Sequence, residues 1–192
     1  KKVSNNIIAN DGYEVYKKAF LNYATGEILI TEINFKKFIL NSKQSDFWAV
    51  FENIEDKSGL VGEMIAYSQN IVESNSVNYS TIKFDPDYLK LYPSYALFFE
   101  MNKYYLNEQK FSYVNDGARS ILHNTNIQGF LIQKFKFRKA YCKLNLVYRW
   151  DVRLLIFSLY PFRILIAKFK DKRFFNKLNT LLVQEGISRD SM

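Results

Sequence analysis

The sequence predicts an α+β (mixed α/β) fold, with a mostly antiparallel central sheet flanked by helices and with a helical C-terminal extension. Three observations predict it. Two early segments space their apolar residues as amphipathic helices do, three consecutive segments then carry the apolar runs of strands, and the composition turns basic and aromatic after Arg149.

The first half of the chain is expected to hold two helices and a three-strand meander. Helices are predicted over 11–24 and 32–41, where apolar residues recur at intervals of three and four. Strands are predicted over 47–52, 60–68 and 77–84, because these runs are rich in β-branched and aromatic residues and are separated by Asn, Ser, Asp and Gly. Short connections of this kind are typical of antiparallel neighbours.

The second half is expected to complete the sheet and then to become wholly helical. The predicted elements alternate, with a helix over 94–107, a strand over 111–115, a helix over 126–136 and a closing strand over 140–148. Residues 1–148 would form one domain. Residues 149–192 would form a basic, aromatic-rich extension, with a helix over 170–184.

Composition excludes several classes of protein and of site. With one Cys and one His among 192 residues, the chain holds neither a disulfide scaffold nor a site that needs two imidazoles, and we expect no metal site. No signal-peptide pattern is present, and Pro161 and Arg163 interrupt the apolar run 152–169, which argues against a transmembrane helix. We expect a cytoplasmic protein, or one held at a membrane surface. Because the chain opens with Lys1 rather than Met, we expect a piece of a longer protein, or a protein whose leader has been removed.

The formal net charge of +8 is distributed unevenly along the chain. Residues 1–110 hold 12 Lys and Arg against 14 Asp and Glu, whereas residues 111–192 hold 15 against 5. An anionic partner is therefore expected to meet the C-terminal half.

Three local sequences and the order of the predicted elements point to one known family. The third strand runs into Pro86-x-Tyr88, the segment Asn126–Phe137 reads as a helix ending in Lys136-Phe137, and the strand over 140–148 follows at once. Together with the order of two helices, three strands, helix, strand, helix and strand, these residues resemble the GNAT superfamily of acyl-CoA-dependent N-acyltransferases. The resemblance covers roughly residues 11–148.

The resemblance implies a donor, an acceptor and a set of departures from the family pattern. It implies acyl-CoA, such as acetyl-CoA, as the donor and a small-molecule or peptide amine as the acceptor. The stretch Asp87–Tyr95 has no Gly where the family has a glycine-rich pyrophosphate loop, Pro93 removes one amide donor, and Ile132 stands where a tyrosine general acid is frequent. The chain therefore resembles a divergent member. The expected contacts to the donor are Lys90, Ser94 and Asn126.

Two residues are candidates for proton transfer. Glu63 lies within a predicted strand, where a carboxylate facing the cleft would act as the base toward an acceptor amine. The alternative is that Glu63 faces solvent on the wet side of the sheet. His123 is the one imidazole, with a role in proton transfer or, as the alternative, in structure.

The polar segment between the strand over 111–115 and the helix over 126–136 is the expected acceptor site. Loops at strand ends commonly carry functional groups, and the alternative is a surface turn with helix caps. The expected substrate-binding residues are Asn115, Asp116, Arg119 and Ser120.

Residues 149–177 allow three interpretations, because they combine eight Lys and Arg with two Asp and several aromatics. In the first interpretation they are a packed appendage, which would pack on the sheet or on a second copy of the chain in a homodimer. In the second they lie on an anionic membrane surface, and in the third, which is the least favoured, they bind nucleic acid. For the whole chain, the alternatives to an enzyme are a degenerate GNAT-fold interaction module and a membrane-surface or RNA-binding accessory domain.

Overall fold

A computed structural model describes residues 1–22, 28–52, 62–117, 126–141, 143–169 and 173–190. The chain divides into two compact units, Lys1–Ala118 and Arg119–Met192. The boundary expected at residue 148 stays a prediction. The mixed α+β architecture with a mostly antiparallel sheet is confirmed.

The first unit is built on a five-stranded sheet in the order β1-β2-β3-β4-β5. The strands are β1 (Lys2–Val3), β2 (Ser45–Phe51), β3 (Met64–Val72), β4 (Ser76–Phe84) and β5 (Tyr113–Asn115). Neighbours are antiparallel from β1 to β4, whereas β5 runs parallel to β4. The chain must therefore cross over between β4 and β5, and a helix makes that connection.

Two helices cover one face of this sheet. They are α1 (Asn5–Leu21) and α2 (Glu32–Asn41), and the Thr31 hydroxyl caps α2 by accepting from the Asn34 N–H at 3.4 Å. Ile8 and Val15 of α1 and Phe35 of α2 pack with Tyr67 of β3 in the larger core cluster. Val15 and Phe35 belong to the apolar spacing that predicts the two helices, and that spacing buries them.

The opposite face is covered by the crossover connection. It begins as a 3-10 helix (Pro86–Leu91), continues as α3 (Pro93–Asn102) and ends as a π-helical turn (Lys103–Glu108). Leu97, Phe98 and Met101 are almost fully buried. The π-helical turn places Tyr105 over the sheet and the adjacent Tyr104 closer to the surface.

The Tyr105 hydroxyl is the centre of a buried polar cluster between the π-helical turn and the sheet. It accepts from Trp48 Nε1 at 2.9 Å and from Asn70 Nδ2 at 3.3 Å, and it donates to Asp46 Oδ2 at 3.1 Å. Lys2 Nζ lies 2.8 Å from the other oxygen of Asp46. Burial raises the pKa of Tyr105, so its hydroxyl stays protonated and keeps its donor.

In the residues that the structure describes, the second unit holds helices and irregular segments but no strand. It holds α4 (Ile127–Phe135), α5 (Trp150–Leu159), a 3-10 turn (Tyr160–Phe162), α6 (Arg163–Ala167) and α7 (Arg173–Asp190). Its small core joins Ile156 and Ile166 to Leu178 and Leu182 of α7. No described helix combines the length and the hydrophobicity needed to span a bilayer.

One predicted strand is wrong and one is displaced. Residues 140, 141 and 143–148 form no strand, since no strand of the sheet pairs with them and Val147 is 98% exposed. An alternating sequence becomes a strand only where a neighbour takes its backbone hydrogen bonds. The strand expected over 60–68 is β3, which begins at Met64 and runs on to Val72. Its polar residues Ser68 and Asn70 are buried, and the Ser68 hydroxyl donates to Asn70 Oδ1.

Other boundaries moved by less than two helical turns. The first helix begins at Asn5 rather than at residue 11, and the helix expected over 94–107 begins as α3 and ends in the π-helical turn. The helix expected over 170–184 corresponds to α7, which spans Arg173–Asp190.

We expect Tyr105→Phe to lower the free energy of unfolding by about 3 kcal/mol, because it leaves two donors, on Trp48 and Asn70, and one carboxylate acceptor without the hydroxyl. Denaturant unfolding followed by circular dichroism measures the change. The matched control is Tyr104→Phe, which removes a hydroxyl that accepts from the exposed Lys2 at 3.3 Å and should cost no more than about 0.5 kcal/mol. Equal losses in the two variants would contradict the role assigned to the Tyr105 hydroxyl.

Candidate functional site

The candidate site lies where β4 and β5 part. The two parallel strands pair only through Ser76 with Tyr113, Val77 with Val114 and Asn78 with Asn115. β4 then continues for six residues, to Phe84, and no described strand pairs with it on that side. At about 3.3 Å per residue, this leaves roughly 20 Å of strand edge open in the described part of the chain.

A β-bulge in β4 lies directly after the last parallel pair. Tyr79 pairs with Asn70 of β3 and Thr81 pairs with Gln69, so Ser80 is an extra residue without a partner in β3. A bulge bends its strand and increases the local twist. The bulge at Ser80 therefore bends β4 close to the point where its pairing with β5 ends.

The backbone groups on the open side of β4 can be identified residue by residue. The Asp85 N–H donates to the Ile65 carbonyl of β3 at 2.9 Å, so Asp85 faces β3. Since alternate residues of a strand direct their backbone groups to opposite sides, Phe84 and Ile82 direct theirs to the open side. Such an edge offers donors and acceptors to a ligand that lies extended along it, as another strand would.

A group of polar residues closes the narrow end of the opening. The Asn115 side chain donates to the Val77 carbonyl at 3.4 Å and accepts from the Gly117 N–H at 3.0 Å. Gly117 has a φ of 69°, a left-handed conformation that a larger residue adopts only with strain. The Oδ1 atom of Asn78 is buried, and it has no hydrogen-bond partner among the described residues. Asn78 therefore has a free acceptor at the point where the strands part.

Asp116 is the titratable group at this narrow end. It follows the last residue of β5, is half-buried, and lies between Asn115 and Gly117. Burial raises the pKa of Asp116 to about 6. A carboxyl group with this pKa is a better match for proton transfer near neutral pH than an ordinary aspartate is.

The wide end of the opening is held by an ion-paired turn. Lys18 of α1 lies 2.8 Å from Asp85 Oδ2 and 2.9 Å from Asp87 Oδ2, and these contacts raise the pKa of Lys18. The other oxygen of Asp85 accepts from the Asp87 N–H at 3.0 Å and so caps the 3-10 helix. The Lys18 ammonium group is therefore occupied by ion pairs with these two carboxylates.

The start of α3 has few amide donors to offer an anion. Pro93 is the first residue of the helix and has no N–H, and the Tyr95 N–H donates to the Tyr92 carbonyl at 3.0 Å. Tyr92 itself has a φ of 53°, a left-handed conformation in which glycine is the usual residue. What this end offers is the exposed Lys90, the half-buried Ser94 and its amide.

Glu63 lies at the wide end and not at the narrow end. It precedes β3 rather than lying within it, it is exposed, and its Oε2 accepts from the Tyr88 hydroxyl at 2.9 Å. This hydrogen bond is the main cause that raises the pKa of Tyr88 to about 12. The expectation of a strand position is wrong for Glu63, while its role as a base stays a prediction.

The residues predicted from the sequence therefore fall into groups. Asn115 and Asp116 lie at the narrow end, and Lys90 and Ser94 lie at the wide end. Asn126 precedes α4 in the second unit. Arg119, Ser120 and His123 lie outside the described residues. All of these assignments stay predictions.

Three residues that matter to the geometry were missed in the sequence. Asn78, Ser80 and Lys18 carry no motif, and only the register of β4 with its neighbours shows what the first two do. The one signal for Asn78 and Ser80 in the sequence is that both are polar residues within a strand of alternating pattern. In the described residues, no three or more metal-ligating side chains come together.

Several solved structures that share the fold are named as acetyltransferases, whereas no family model and no curated protein matches the chain. The ribosomal-protein-S18-alanine N-acetyltransferase from Escherichia coli is 15% identical, with 79% of this chain and 84% of that chain covered at a TM-score of 0.53. A possible acetyltransferase from Clostridium difficile 630 is 10% identical, with 78% and 96% covered at 0.54. An aminoglycoside acetyltransferase from an uncultured soil metagenomic sample is 9% identical, with 78% and 95% covered at 0.52.

We expect Asp116→Asn to stabilise the protein at pH 8 and to leave its stability unchanged at pH 4. Because the pKa of about 6 lies above the unfolded value of about 3.9, the folded state binds the proton more tightly. The stability that Asp116 contributes is therefore full below pH 4 and is lost as the pH rises through 6. The gain at pH 8 should be about 1 kcal/mol, allowing for partial exposure. Thermal unfolding at both pH values measures it, and a variant that is less stable at pH 8 would show that the carboxylate has a stabilising partner.

Proposed function

We propose, from the fold that this chain shares with the GNAT superfamily, that it is an N-acyltransferase that moves an acyl group from acyl-CoA to an amine. The parting of β4 from β5 supports the proposal, because among the described residues it leaves the β4 edge unpaired up to Asp116, a carboxyl group whose pKa is raised. An extended thioester arm needs an edge of this kind, and acyl transfer to an amine needs a base at its end.

Coenzyme A fits the opening unevenly. The edge residues Ile82 and Phe84 suit the amide groups of the pantetheine arm, and Asn78 offers a buried acceptor at its far end. The phosphates of coenzyme A meet fewer favourable groups. Pro93 has no N–H to donate, and the Asp87 carboxylate, with a side chain 69% exposed, lies in the same turn. We therefore expect Ser94 and Lys90 to hold the phosphates weakly and the strand edge to hold the arm.

In the proposed reaction the bound donor supplies an acyl group activated as a thioester. The neutral acceptor amine forms a C–N bond to the acyl carbon as the C–S bond breaks, and the Asp116 carboxylate takes the proton that the nitrogen loses as this bond forms. The proton returns from Asp116 to the leaving sulfur, so the charges balance. A backbone N–H on the open side of β4 donates to the acyl oxygen, where negative charge develops in the transition state.

We expect acetyl-pantetheine to bind within about tenfold of the affinity of acetyl-CoA, because the phosphates meet few donors and each tenfold step needs about 1.4 kcal/mol of added interaction. Isothermal titration calorimetry with the two ligands measures the ratio. Binding of neither ligand at millimolar concentration would refute the donor assignment and leave a GNAT-fold interaction module. An affinity for acetyl-CoA more than a hundredfold higher would show that the start of α3 does hold the phosphates.

We expect Asp116→Asn to lower turnover by about two to four orders of magnitude, because it removes the general base. The wild-type kcat/KM should rise with pH through about 6, the pKa that burial gives Asp116. The matched variant is Glu63→Gln, which changes a carboxylate at the wide end of the opening. A loss in Glu63→Gln without a loss in Asp116→Asn would assign the base to Glu63 instead.

A further inference from the structure

The second unit exposes a large apolar surface on consecutive helical elements. Six side chains of α5, the 3-10 turn and α6 are between 55% and 74% exposed, and we call them the α5–α6 face: Trp150, Leu154, Phe157, Phe162, Ile164 and Leu165. A soluble protein exposes single apolar residues commonly, but it rarely exposes so many in one run.

The α5–α6 face is not the side of these helices that forms the core. Ile156 and Ile166 are the buried residues of α5 and α6, and they pack on Leu178 and Leu182 of α7. A surface helix normally directs polar residues away from its packed side. In α5, the positions of Trp150, Leu154 and Phe157 follow helical spacing on the outward side, where polar residues are the usual choice.

The described charges around the α5–α6 face are mostly positive. Arg153, Arg163 and Lys168 are exposed, and the Asp151 carboxylate is paired with Arg149. Residues 119–192 as a whole contain 15 Lys and Arg against 4 Asp and Glu. Arg163 stacks its guanidinium on the ring of Tyr160 at 4.5 Å, which places a cation beside an aromatic ring at the end of the face.

An apolar groove adjoins the face between α6 and α7. Its volume is about 230 Å³, and it is lined by Ile164, Ala167, Leu182 and Val183, with Arg163 at its wall. Apolar surface with a cation beside it is the arrangement that meets both parts of an anionic lipid, the acyl region and the phosphate.

We propose that the α5–α6 face binds the surface of a bilayer that contains anionic phospholipid. Aromatic and aliphatic side chains enter the interface, and the neighbouring Arg and Lys pair with lipid phosphates. A second copy of the chain would bring like charges together, and nucleic acid would leave the aliphatic side chains Leu154, Ile164 and Leu165 in water. The bilayer is the one partner whose chemistry matches both the apolar side chains and the positive charge.

Co-sedimentation with phosphatidylcholine vesicles, with and without phosphatidylglycerol, tests the proposal on the whole chain. We expect binding only to vesicles that contain phosphatidylglycerol, and weaker binding as salt rises. Arg153→Gln with Lys168→Gln should weaken binding about 25-fold, since each basic residue near such a surface contributes about fivefold. Trp150→Ser with Phe157→Ser should weaken it by at least about tenfold.

The control is Ile33→Ser with Phe38→Ser, which removes apolar side chains of α2 that are 67% and 56% exposed, and it should bind as the wild type does. Thermal unfolding shows that each variant folds. The proposal is overturned if the wild type does not bind phosphatidylglycerol vesicles, or if the α5–α6 face variants bind them as well as the wild type does. The same holds if the control variant loses as much binding as the face variants. It is also overturned if light scattering finds a dimer that the Trp150 and Phe157 variant dissociates, because the face then covers a second copy.

Discussion

The short parallel pairing of β4 with β5 is the constraint on which the candidate site depends. Three residue pairs hold the two strands together, and the bulge at Ser80 follows directly in β4. Backbone N–H and C=O groups seek partners wherever water is excluded, so an open length of strand in a sheet covered on both faces is a site for an extended ligand. The same parting places Asn78 and Asp116 together at the narrow end.

The remainder of the first unit keeps that opening in place. On one face, Lys18 of α1 joins the two carboxylates that follow β4. On the other face, the Tyr105 hydroxyl ties the crossover connection to β2 and β3. The crossover starts where β4 ends and returns to β5, so its attachment to the sheet determines where the second strand of the parallel pair begins. The polar cluster is thus a structural element that supports the site without belonging to it.

Much of the fold was predictable, and the differences have physical causes. Residues 32–41 form α2 as predicted, because Thr31 caps a regular apolar spacing, and Asp85-Pro86 ends β4 as expected. The bounds of β3 differ from the prediction because the polar residues Ser68 and Asn70 suggest the end of a strand. In the structure both are buried, and a hydrogen bond between their side chains satisfies them there. The bulge at Ser80 and the pKa of Asp116 depend on register and burial, which no local pattern encodes. The resemblance to the GNAT superfamily, from which the fold was predicted, depends on the order of the elements more than on any single motif.

The most direct test of the open strand edge is amide hydrogen exchange along β4, followed by NMR with and without acetyl-pantetheine. Lys83 and Asp85 face β3 and serve as internal references, while Ile82 and Phe84 face the opening. The account predicts that Ile82 and Phe84 exchange faster than the references in the free protein and become protected when the ligand binds. Equal protection of all four amides in the free protein, or no change at Ile82 and Phe84 with bound ligand, would contradict it.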